Sequence, residues 1–243
     1  MRQLSDFSEY LEIESENLER AVAILGDDYK FVSDLDNLYG TCVNIPLPDN
    51  PDLMIPAFLF LISHQEYYCS VASFMRLHKT GSFRCLRAAL DSTFTAYYLL
   101  KNPDRTESYV NKGEDPSTWD YLFRNIKATI KNNKKVFPLA VGLPEVHDLC
   151  SKFAHADPEG IFHKYLMDKK ELKLQVQYFD YDDTPEDFKR WYTFFLYNFF
   201  KIFLIYWHEM LKKEAGKLKK EINNLVKEYK SNIANLRKNY PLF

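Results

Sequence analysis

Apolar residues recur at helical spacing through most of the chain, and the places where that spacing fails divide it into elements. Leu4, Phe7, Leu11, Leu18, Val22 and Leu25 share one face, so residues 3–25 read as an amphipathic helix with Gly26 as its stop. Tyr29–Tyr39 is a second, shorter helical stretch ending at Gly40, and the run PLPDNP at 46–51 is a turn-rich connector. From Asp52 to Thr80 the spacing predicts a long apolar helix, interrupted near its middle by His64, Gln65, Tyr67 and Tyr68. Lys79-Thr80-Gly81-Ser82 is a tight break with Ser82 as N-cap of the next helix, 82–101, so the two helices form an antiparallel hairpin. Asn102-Pro103-Asp104 ends the second of them. A short helix is predicted over Arg105–Lys112 and another from Pro116 to about Val136. A last one starts at Leu143-Pro144-Glu145 and carries the run VHDLCSKFAHA.

The helical rule then breaks. Leu172, Leu174, Val176 and Tyr178 alternate with Lys173, Gln175 and Gln177, which is the period of a strand. Ile161–Leu166 is the expected partner across Met167-Asp168-Lys169-Lys170, giving a β-hairpin over 161–178 inserted in a helical protein. Thr184-Pro185-Glu186-Asp187 opens the next helix, with Thr184 as N-cap. Its stretch WYTFFLYNFFKIFLIYW, Trp191–Trp207, is nearly a membrane span in character. Asn198 and Lys201 in its middle and its short length favour a central core helix, with a membrane-associated protein using this run as the alternative. Beyond it, Leu211, Ala215, Leu218, Ile222, Leu225, Tyr229 and Leu236 keep 4-3 spacing, a coiled-coil-like seam over 211–240. The expected fold is therefore mainly α. It is a single helical-bundle domain spanning 1–243 with a core over about 52–210, one inserted hairpin and a long C-terminal helix.

The helix after Gly81 has almost no ordinary solvent face. Arg84, Arg87 and Asp91 lie on one stripe, Phe83, Leu86, Leu90, Phe94 and Tyr97 form an apolar one, and Cys85, Ala88, Ser92 and Ala96 form a small one. Charges on such a helix call for partners. Arg87 and Asp91 pair at i, i+4. The helix over 146–155 offers Val146, Leu149, Cys150 and Phe153 as an apolar face and Asp148, Ser151, Lys152 and His155 as a polar one. His155 at its C-terminal end would be favoured as imidazolium by the helix dipole. Two guanidinium groups beside a histidine suit a phosphate: arginine offers a planar fork, and histidine moves a proton near neutral pH. The candidate ligand-binding set is thus Arg84, Arg87, Asp91, Ser151 and Lys152, with His155 as the candidate catalytic residue. A structural ion-pair network is the competing reading.

Composition narrows the choice further. Seven glycines in 243 residues argue against a Gly-rich phosphate-binding α/β fold, and no P-loop or G-x-S-x-G elbow is present. His147, His155 and His163 are eight apart and do not share a helix face, so no metal is expected, and no cofactor. Cys42, Cys69, Cys85 and Cys150 form no C-x-x-C pair, and three of the four sit in apolar helical contexts. The first residues are acidic and lack the apolar core of a secretory signal, so the expected compartment is the cytoplasm and no membrane is expected. Charge is uneven: residues 1–63 carry 12 acids against three bases, and 212–238 carry nine bases against three acids. Opposite-sign ends attract within one chain or between two, which makes a homodimer through the C-terminal helix an expectation.

The combination of a long helix, an R-x-x-R-A-A-L-D helix and an S-K-F-A-H helix end resembles a group of bacterial all-helical proteins distantly like the HEPN domains, nucleotide-binding helical bundles of toxin and defence systems. The resemblance covers about 52–210. It implies a binding module for a nucleotide, RNA or another phosphate-bearing ligand, or alternatively a metal-independent ribonuclease. HEPN ribonucleases carry an arginine four to six residues before a histidine on one helix. His155 matches the histidine, positions 149–151 are Leu149, Cys150 and Ser151, and the guanidinium would have to come from Arg84 or Arg87 on the neighbouring helix. In that reading His155 is the general acid/base and the two arginines steady the charge at phosphorus.

Overall fold

A computed structural model describes residues 6–46, 50–111, 116–117, 124–154, 165–168, 173–176, 179–180 and 183–241. The chain is mainly α. Its principal helices are α1 (Phe7–Leu25), α2 (Lys30–Val43), α3 (Pro51–Met75), α4 (Lys79–Lys101), α5 (Thr106–Val110), α6 (Ile126–Asn132) and α7 (Leu143–Ala154). Past a small hairpin come α8 (Pro185–Tyr206) and α9 (Lys219–Asn239).

Local chemistry sets most of the boundaries. Asp6 caps α1 by accepting the Glu9 N–H, and Gly26, at φ +55°, ends the helix. Asn50 caps α3 ahead of Pro51, and Thr184 caps α8 by accepting the Asp187 N–H at 3.1 Å. The second helix runs past Gly40 to Val43, and the helix expected to reach Val136 ends at Asn132.

The α3–α4 hairpin is antiparallel and tight, but its turn is not built as expected. The helix α4 begins at Lys79, so Ser82 lies inside it and is not its N-cap. Instead the Asp180 carboxylate, a hundred residues further on, accepts the Lys79 N–H at 2.6 Å, while the Asp180 N–H donates to the Leu77 carbonyl. Leu77 turns the chain at φ +64°. The Ser82 hydroxyl donates to the Ser70 carbonyl across the hairpin at 2.9 Å. Gly81 sits where a Cβ would come within 3.2 Å of Ser73, so the two helices approach closely there.

The run Trp191–Trp207 forms the heart of the bundle. Phe195, Phe199, Phe203 and Tyr206 of α8 are buried, and the helix packs on α2, α3, α4 and α9. Several polar groups inside this core are paired, while the Trp207 indole N–H and the Tyr229 hydroxyl are buried without a hydrogen-bond partner among the described residues. Ser63 of α3 lies 3.1 Å from the Tyr206 hydroxyl and 3.4 Å from that of Thr93 on α4, and the Tyr39 hydroxyl donates to the Phe199 carbonyl. Asn198 returns its amide to the Phe194 carbonyl, and Lys201 reaches out to the Val141 carbonyl. No helix among the described residues is long and apolar enough to cross a membrane.

The core is wider than 52–210. Leu35, Leu38 and Tyr39 of α2 belong to it, as do Ile222, Tyr229 and Ile233 of α9. The C-terminal seam therefore faces its own chain: α9 lies on α2 and α8, and Ile222, Tyr229, Ile233 and Leu236 are buried there. An association of two chains through α9 would have to use its lysine-rich outer side. Between α8 and α9 the helix widens to a π turn over Trp207–Leu211 and breaks at Gly216, whose φ is +49°.

Two four-residue strands, Tyr165–Asp168 and Lys173–Val176, pair antiparallel, with Tyr165 opposite Val176 and Asp168 opposite Lys173. Their connection begins after Asp168 and not at Met167. The outer parts of the expected 161–178 hairpin, residues 161–164 and 177–178, lie outside the described residues.

Candidate functional site

The stripes of α4 determine what it can touch. Phe83, Leu86, Leu90, Phe94 and Tyr97 are buried, as their spacing predicts, and this apolar surface receives α7 and α8. Phe153 of α7 stacks on Phe83 with ring centroids 4.2 Å apart. The buried face of α7 is Leu143, His147 and Cys150, while Val146, Leu149 and Phe153 are only partly covered. Position 147 was expected on neither face. It recurs at i+4 from Leu143 and i−3 from Cys150, which is the signal that places an imidazole in the apolar stripe.

The partner that α7 offers Asp91 is His147. Its Nε2 lies 2.9 Å from Asp91 Oδ1, and the residue is 6% exposed. Its other nitrogen, Nδ1, is 3.4 Å from the Lys127 ammonium of α6. An ammonium only donates, so Nδ1 accepts and the ring proton sits on Nε2, where it donates to Asp91. Lys127 also donates to Asp148 Oδ1 at 2.5 Å, and that bond holds the Asp148 carboxyl below its usual value. Lys131 stands 3.6 Å from Glu145 and 3.9 Å from Asp148. Three helices are thus joined by one polar chain: Asp91, His147, Lys127, Asp148, Lys131.

The expected residues divide around this chain. Arg87 does meet Asp91, but loosely, at 3.9 Å, with the carboxylate 57% exposed, so the ion pair is a surface one and not the buried pair its setting suggests. Ser151 donates its hydroxyl to the His147 carbonyl at 2.8 Å and is spent within its own helix. Arg84 and Lys152 are exposed. His155 lies outside the described residues, as does His163. Cys150, beneath the cluster, is no nucleophile: burial pushes its thiol up to about 12, against the lowering effect of Arg87. No group of three or more His, Cys, Asp or Glu able to hold a metal occurs among the described residues.

His147 has both nitrogens engaged, so it fixes geometry and leaves no nitrogen facing outward. The open part of the region is cationic. At the C-terminal end of α6 and just beyond it, Lys131, Asn132, Asn133, Lys134, Lys135 and Val136 line a shallow hollow. Lys134 and Lys135 are exposed, and neither forms an ion pair among the described residues. No protein-family model, no curated protein and no solved structure matches the chain. Its function is read from this geometry.

Proposed function

We propose that the chain is a helical binding protein and that the end of α6, held against α7, takes a phosphate-bearing ligand. The observation that carries the reading is the hollow lined by Lys131, Lys134 and Lys135 with two asparagine side chains beside them. Lysine ammonium groups bind phosphate as point charges, and the Asn132 amide adds a donor, while that of Asn133 already donates to the Thr129 carbonyl at 2.8 Å. Lys127 and Lys131 are offset by Asp148 and Glu145, so the ligand-facing charge is that of Lys134 and Lys135. The chain of contacts from Asp91 to Lys131 joins α6 to α4 and α7 beside the hollow. The ligand class is that of the HEPN-like expectation, a nucleotide, RNA or another phosphate-bearing ligand, but the site is the lysine hollow and not the expected set Arg84, Arg87, Asp91, Ser151 and Lys152.

Fluorescence anisotropy of a labelled single-stranded RNA and of a labelled adenine nucleotide tests it. At low salt the wild-type chain should bind at least one probe. The double substitution Lys134→Glu/Lys135→Glu should weaken that binding about tenfold or more and flatten the salt dependence by roughly one to two charges. Lys217→Glu/Lys219→Glu, remote in sequence and on the last helical segments, should leave it unchanged. Binding that persists in the first variant, or no binding by the wild-type chain, sinks the proposal.

A further inference from the structure

The longest helix is apolar on every side, yet only part of it is covered. Within α3, Asp52 and Glu66 are the only carboxylates, and there is no Lys or Arg. A helix of that character belongs in an interior. Its inner side, with Leu59, Phe60, Ser63, Tyr67, Ser70 and Phe74, is buried against α2, α4 and α8. Its outer side is open. Met54, Phe58, Leu61, Ile62 and Tyr68 are between 42 and 55% exposed, and Gln65, Cys69 and Ala72 are exposed beside them.

The spacing of that outer side is specific. Met54, Phe58, Leu61, Gln65, Tyr68 and Ala72 follow 4-3-4-3-4, the seam of a coiled coil, on a helix whose opposite side is already buried. The seam is also its own complement. Run antiparallel about the level of residue 63, Met54 comes opposite Ala72, Phe58 opposite Tyr68, and Leu61 opposite Gln65. Each step pairs large with small, aromatic with aromatic, or aliphatic with an uncharged amide. No charge meets a like charge anywhere along it.

We infer that the outer face of α3 is an interface for a second copy of this chain, the two α3 helices packing antiparallel across a two-fold axis. Such isologous contacts require a self-complementary patch, and this seam is one. The five large side chains are about half exposed, so each chain offers on the order of 500 Å² of apolar side-chain surface, at about 200 Å² for a full side chain. Two facing copies would then bury about 1,000 Å² from these residues alone, which is where specific interfaces begin. A patch of about 500 Å² is the size of the largest apolar patch on a single chain, and patches of that kind are often functional.

One anchor of the seam is already immobilised. The Tyr68 hydroxyl donates to Asp36 at 2.5 Å, and its ring stands 4.7 Å from that of His64. His64 in turn bonds Asp36 at 3.0 Å and stacks on the buried Tyr39 at 4.9 Å. An aromatic held this way from the core outward loses little side-chain freedom on association.

The test is the mass of the full chain by light scattering at micromolar concentrations, with the thiol of Cys69 as a second readout. Cys42 and Cys150 are buried, and burial pushes the thiols of Cys42, Cys85 and Cys150 up to about 12, so Cys69 is the exposed cysteine available to a thiol reagent. The wild-type chain should run at twice its 28.8 kDa chain mass and react slowly at Cys69. Leu61→Asp and Phe58→Asp, both at exposed positions, should each give a folded monomer, unchanged in helix content by circular dichroism, whose Cys69 reacts at least tenfold faster. Val141→Asp, at an exposed apolar residue elsewhere, should stay dimeric. A wild-type monomer overturns the inference, including one that floats with phosphatidylcholine vesicles, since lipid would then be the occupant. A dimer whose mass neither seam substitution changes overturns it as well.

Discussion

The Nε2–H of His147 donates to Asp91 across the α4–α7 contact, so a carboxylate more than half exposed satisfies an imidazole that is almost fully buried. The two ends of this bond have different energetics. Removing the carboxylate strands a buried donor, and removing the imidazole frees a carboxylate that water can solvate. Asp91→Ala should cost about 1–3 kcal/mol in denaturant unfolding, whereas in a His147→Leu background the same change should cost under about 0.5 kcal/mol, the worth of a surface ion pair with Arg87. A double-mutant cycle reads the difference directly. Equal costs in the two backgrounds would mean that Arg87, and not His147, is the partner that matters.

Two glycines in helices should respond to substitution with opposite signs. Gly40 lies within α2 with open space for a Cβ, so Gly40→Ala should stabilise the protein by about 0.5–1 kcal/mol through helix propensity. Gly81 lies where the α3–α4 hairpin is tightest, 3.2 Å from Ser73, and a large side chain there must push the helices apart. Gly81→Leu should cost about 1–3 kcal/mol or more. Thermal melts of the two variants check both signs together.

What the sequence made legible was what is local. Thr184 is a cap because of the three residues that follow it, and the stripes of α4 follow from helical spacing alone. The cap of α4 was not legible, because Asp180 arrives from a hundred residues away and displaces Ser82 from that role. His147 was missed for a related reason. A polar residue inside an apolar stripe looks like an interruption until the carboxylate and the ammonium on two other helices are known. The seam of α9 shows the limit of periodicity itself: 4-3 spacing identifies a buried face but does not say whether the same chain or a second one covers it.

The Thr184 cap carries a pH signature. Hydrogen bonding to Thr184, with help from Arg190, holds the Asp187 carboxyl below its ordinary value of 3.8. A carboxyl whose value is lower folded than unfolded stabilises the fold above the unfolded value, and that contribution is lost as pH falls through the folded one. Thr184→Ala should therefore cost about 1 kcal/mol at neutral pH through loss of the cap. It should also flatten the fall of stability below pH 3.8, where the wild-type chain still draws on Asp187. Urea unfolding of the two proteins in the acid range measures this. Parallel curves would show that the Asp187 carboxyl gains nothing from the Thr184 hydroxyl.

The last helix separates self-packing from association. Ile222, Tyr229 and Ile233 are within 2% of full burial against α2 and α8, and the Tyr229 ring meets Phe200 at 4.8 Å. Truncating one of them leaves a cavity in the core of the single chain. Ile222→Ala should lower the free energy of unfolding by about 2–5 kcal/mol, as large-to-small changes at buried aliphatic positions do. Leu225, which is only partly covered, should cost less on the same change. Neither should alter the mass in light scattering so long as the protein remains folded, because the seam is occupied by its own chain. Deleting 212–243 should then unfold the protein and not merely separate two copies of it. The contrary result would be a truncated chain that stays cooperative and helical but runs at half the wild-type mass. It would return the seam to the role of a contact between chains.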